Sequence, residues 1–81
     1  MTTADKTLDR MRNNPRDWRI DDLLTVAGRY GVEVRNNGGS HHVFSATGIA
    51  DSLCIPARRP VKPVYIKRFI AMIDTIKERT P

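Results

Sequence analysis

Four residues, Asn36-Asn37-Gly38-Gly39, restrict the folds open to this chain more than any other stretch. Asn and Gly reach positive φ at low cost, and here they separate two short segments of strand character, Val32-Glu33-Val34-Arg35 and His41-His42-Val43-Phe44. That arrangement predicts a β-hairpin, and so an antiparallel sheet, in the middle of the chain. Side chains alternate along a strand, so His41 and His42 are expected on opposite faces and cannot both serve one site. Every other element has to be arranged around the hairpin.

On both sides of it the apolar period changes from two to about 3.6. Ile20, Leu23, Leu24, Ala27 and Tyr30 recur at helical steps, Asp21 and Asp22 suit the positive end of a helix, and Gly31 is placed to terminate it. Trp18, just before, reads as an anchoring core or rim residue rather than a stacking platform for a base. A second strand is expected from Ser40 to about Ser45 and a third over Ser52-Leu53-Cys54-Ile55, halted at Pro56, with Cys54 a core thiol inside an apolar run. The last helix is expected from Val64 to Arg79, with Ile66, Phe69, Ile70, Ile73 and Ile76 on its stripe. At the other end, Thr2 and Asp5 stand at capping-box spacing, Ala4, Leu8 and Met11 form a narrow stripe, and Asn13-Asn14-Pro15 ends that helix. The expected architecture is α+β: an α-β-β-β-α core with an extra N-terminal helix, and a three-stranded antiparallel sheet with helices on one face.

Eighty-one residues suffice for one domain without metal or disulfide staples, so 1–81 is read as a single domain. One cysteine excludes an intramolecular disulfide and suits a reducing compartment, and no stretch approaches the roughly 20 apolar residues of a membrane span. A cytoplasmic location is the expectation. The net charge of +5 is unevenly spread: residues 1–51 hold seven Lys or Arg against seven Asp or Glu, residues 52–81 seven against two. The excess favours a polyanionic partner, although a solvated basic surface gives the same count. Three cations, Arg58, Arg59 and Lys62, lie in the proline-stiffened connection between Pro56 and Pro63.

Gly39-Ser40-His41, followed by Phe44, Gly48, Ile55-Pro56 and a closing amphipathic helix, resembles the HicA family of toxins, over about Ile20 to about Ile76. The resemblance implies a double-stranded-RNA-binding-domain-like fold in which 1–15 is an N-terminal helical extension. It implies an mRNA interferase, an endoribonuclease that cleaves messenger RNA and so inhibits translation in a stress response, with His41 as the catalytic residue. Many members carry a second histidine at the position occupied here by Arg58. The resemblance further implies a HicB-like antitoxin as partner, with any contact to operator DNA made through that complex.

The residues themselves suit such chemistry. RNA is cleaved without a metal when a base takes the 2′-hydroxyl proton, the oxyanion attacks the adjacent phosphate and cations stabilise the added charge. Histidine, ordinarily titrating near neutrality, serves the proton step as base or acid, which makes His41 the candidate. Arg35, Arg58, Arg59 and Lys62 are the candidate phosphate-binding cations, with Ser40 as a hydroxyl donor and the Gly39 backbone open to close approach. No cofactor is called for, and two adjacent strand histidines with one distant cysteine lack metal-ligand spacing. The alternative is a non-catalytic RNA-binding module that grips the backbone with its basic face, for which the cations matter and His41 does not.

Overall fold

A computed structural model describes residues 3–36 and 38–79. Thr2, the expected cap of the first helix, and Asn37 of the hairpin loop lie outside the described residues. The elements run α1 (Thr3–Asn13), α2 (Ile20–Arg29), β1 (Glu33–Asn36), β2 (His41–Ser45), β3 (Leu53–Pro56) and α3 (Pro63–Arg79). The strands form one antiparallel sheet in the order β1-β2-β3. The expected α+β architecture is therefore present, with boundaries shifted by a residue.

Those shifts have local causes. Gly31 adopts φ +71 after the C-cap residue Tyr30, and the N–H of Val32 returns to the carbonyl of Ala27 at 2.9 Å. This helix-ending turn takes Val32 out of the ladder and buries it, so β1 starts at Glu33. Pro56, expected to halt β3, is instead its last paired residue, opposite His41. The next N–H, that of Ala57, still reaches the Ser40 carbonyl at 2.6 Å. Pro56 is tolerated because β3 is an edge strand and alternate N–H groups of an edge strand point outward, so none is missing from the ladder.

Register assigns the faces. Val34 pairs with Phe44 and Phe44 with Leu53, while His42 pairs with Ile55, so these residues share the face covered by the helices. Phe44 and Ile55 are wholly buried there, and Phe44 meets Phe69 of α3 edge-on, with ring centroids 5.5 Å apart at 69°. Such a pair contributes about 0.5–1.5 kcal/mol beyond its area burial. The other face, bearing Glu33, Arg35, His41 and Cys54, is open. Cys54 is thus exposed rather than a core thiol. Once Ile55 is turned inward opposite His42, alternation turns its neighbour outward, which overrides the apolar appearance of the run.

The first helix is not an appendage. Ala4, Leu8 and Met11 are 5%, 1% and 0% exposed, and they join the same core as Leu23, Val26, Phe44 and Ile73. α1 packs on both α2 and α3. Two polar ties reinforce the packing. Arg12 donates to both oxygens of Asp74 in α3, at 2.8 and 2.7 Å, and this hydrogen-bonded guanidinium holds the Asp74 carboxyl below its ordinary range. Tyr30, beyond α2, donates its hydroxyl to Asp5, and burial followed by that hydrogen bond pushes the phenol up to about 12.

Candidate functional site

The hairpin loop fixes the start of β2. Asn36 accepts the Gly38 N–H on Oδ1 at 2.8 Å, a local turn for which Gly38 supplies φ +81. With Oδ1 so used, the Asn36 amide nitrogen faces Nε2 of His42 at 3.2 Å. His42 Nδ1 is buried without a hydrogen-bond partner among the described residues. His42 thus lies on the helix-covered face, where its contact with Asn36 ties the loop to the strand. His41, one residue earlier, emerges exposed on the open face, as alternation requires.

Beside His41 the chain leaves β3, and the N-terminus of α3 returns to the same place. The Lys62 carbonyl accepts the N–H groups of Tyr65 at 3.0 Å and Ile66 at 3.3 Å, which places Lys62 at the helix start. Ser40, His41, Pro56, Arg58, Lys62 and Tyr65 line one cleft of about 330 Å³. An imidazole, a hydroxyl, a phenol and two cations thus converge from three elements. The first turn of α3 holds no acidic residue, unlike those of α1 and α2, so its positive pole is left uncompensated at the rim. An anion entering the cleft meets favourable potential from side chains and backbone alike.

The remaining sequence-derived candidates fall outside this cleft. Arg35 shares the open face with His41 and lies one diagonal step away across the β1–β2 ladder, but it does not line the cleft. Arg59 turns into the adjoining cavity, and Gly39 is exposed in the loop before Ser40. Tyr65 is the residue that sequence reasoning missed. It is half-buried at the margin of the apolar side of α3, packed against the core, and an aromatic in a first helical turn beside a basic connection was the signal available. Trp18 has the anchoring place expected of it: its indole N–H donates to the Asn14 carbonyl at 2.6 Å, and its own carbonyl accepts the Val61 N–H at 2.8 Å. Among the described residues no three His, Cys, Asp or Glu side chains converge to hold a metal ion, and no helix is long and apolar enough to cross a membrane.

No protein-family profile, curated protein or solved structure matches this chain.

Proposed function

We propose that this protein is a metal-independent endoribonuclease of HicA type that cleaves messenger RNA in the cytoplasm and so inhibits translation, with His41 transferring the proton. One observation carries the reading: His41 shares its cleft with Ser40, Arg58, Lys62 and Tyr65. That set matches what transesterification of RNA demands. His41 takes the 2′-hydroxyl proton, and the freed oxygen attacks the adjacent phosphorus. Arg58 and Lys62 stabilise the charge that accumulates on the phosphoryl oxygens, and Ser40 orients them by hydrogen bonding. The P–O5′ bond then breaks, and the leaving oxygen takes a proton from an acid, for which Lys62 and Tyr65 are at hand. The products are a 2′,3′-cyclic phosphate and a 5′-hydroxyl.

The end groups test this sequence of steps. Purified protein incubated with a long messenger RNA should give fragments whose 3′ ends are cyclic phosphates by mass spectrometry. Fragments with 3′-hydroxyl and 5′-phosphate ends would contradict it, because they arise when water, not the 2′-oxygen, attacks.

A cleft of this kind also sets the chemistry of its inhibitor. A HicB-like antitoxin would bring carboxylates to Arg58, Arg59 and Lys62 and cover His41, with complementary charge speeding association and steric cover excluding RNA.

A further inference from the structure

A larger cavity adjoins the His41 cleft. It encloses about 530 Å³ and is lined by Arg16 and Asp17 of the α1–α2 connection together with Arg58, Arg59, Pro60, Val61, Lys62 and Pro63. Arg58 and Lys62 line both spaces, so the two adjoin across a pair of cations. Four cations face one carboxylate across this cavity, and none of the four makes an ion pair among the described residues. The connection is held in place by backbone rather than by chance contact, since Trp18 and Val61 form an isolated bridge and Val61 is wholly buried. Arg16 is set by the same segment, its N–H donating to Asn14 Oδ1 at 3.2 Å. Between the cations, the exposed rings of Pro60 and Pro63 offer an apolar floor above the buried Val61.

We infer that this cavity is a second nucleotide subsite, in which Arg16 and Arg59 hold the phosphate next to the one cleaved at His41 while a base rests on the proline floor. The inference rests on the proposed RNA-cleaving function and extends it: the substrate is single-stranded RNA gripped over consecutive phosphates, and the N-terminal segment, outside the HicA resemblance, supplies part of the grip. A charged face and an apolar platform in alternation are what single-strand binding uses, because phosphates recur along the strand and every base has a stackable face.

The test uses a 2′-O-methylated RNA of about ten nucleotides, which binds but lacks the attacking hydroxyl, with affinity measured by fluorescence anisotropy over a range of salt. Arg16→Ala should lower the dependence of log affinity on log salt by about 0.7, the share of one phosphate on a single strand, and Arg16→Glu should weaken low-salt binding by about tenfold. Arg29→Ala, which removes a cation from a separate surface beside Tyr30 and Lys77, should leave the slope unchanged. Parallel assays on unmodified messenger RNA should show Arg16→Ala raising KM with kcat retained. If wild-type protein binds with Arg16-dependent affinity but cuts nothing, the subsite stands and the nuclease reading falls. If it cuts and the Arg16 variants bind and cut as wild type, the subsite is overturned and the patch is left to an acidic protein partner. Wild-type protein that fails to bind the oligonucleotide overturns the subsite, and the nuclease reading falls with it if messenger RNA is also left intact.

Discussion

Truncating Leu8 to alanine should destabilise the whole domain, although the helix that carries it has a narrow apolar stripe and precedes the α-β-β-β-α core. Leu8 is 1% exposed, between Ala4 and Met11 on the side of α1 that meets α2 and α3. Replacing a fully buried leucine with alanine costs about 2.7–5 kcal/mol, the low end applying where neighbours can collapse into the space. A helix packed from outside can settle inward, so about 3 kcal/mol is the working value here. Domains have stabilities of about 0.05–0.15 kcal/mol per residue, or about 4–12 kcal/mol for this length, so the loss is a large fraction of the total. At about 4–8 °C per kcal/mol for a domain of this size, Tm should fall by about 12–24 °C. Thermal unfolding followed by circular dichroism measures it, with Lys6→Ala on the exposed side of the same helix as control. A Tm within about 3 °C of wild type would contradict this packing and make α1 an extension peripheral to the core.

Tyr30→Phe should cost about 1–2 kcal/mol at neutral pH through the lost hydrogen bond to Asp5. Because folding raises the Tyr30 phenol to about 12, that contribution is complete below the ordinary tyrosine value near 10 and disappears as pH rises through about 12, so denaturant midpoints of the two proteins should converge in strong alkali. Cys54, exposed on the open face of the sheet, should react with a thiol reagent in the native protein at close to its rate in the unfolded chain; a reaction that needs denaturant would overturn the strand register. RNA cleavage should survive a chelator, and activity lost in EDTA and restored by a divalent ion would argue against the proton-transfer mechanism.

How far the sequence anticipated this molecule can be argued from single residues. The helices and the hairpin were legible because period, Gly31 and the Asn-Gly loop are local signals, and local signals survive in a single sequence. The opposite facing of His41 and His42 followed from alternation alone. Cys54 was misjudged because Leu-Cys-Ile reads as a buried run, whereas a sheet covered on one side only buries every second residue. The first helix reads as an extension because its stripe is narrow; that its few apolar residues are all buried depends on α2 and α3, which no window over residues 3–13 contains. The site shows the same division. Ser40 and His41 are neighbours in sequence, Arg58 and Lys62 came into view through the charge count, but Tyr65 and Arg16 join them only through a helix start and a Trp18–Val61 bridge that are tertiary facts.

His41 is proposed to move a proton in a cleft whose cations bind the phosphate. Single-turnover cleavage of a labelled messenger RNA, compared between wild type and His41→Ala and paired with affinity for the 2′-O-methylated oligonucleotide, separates that step from binding. Removing a general acid or base lowers the rate by about 10²–10⁴-fold, while the cations that supply affinity are untouched, so the variant should lose at least about a hundredfold in rate with binding within about threefold of wild type. A His41→Ala protein that cuts at the wild-type rate would contradict the account, and so would a wild-type protein that binds the oligonucleotide and leaves messenger RNA intact.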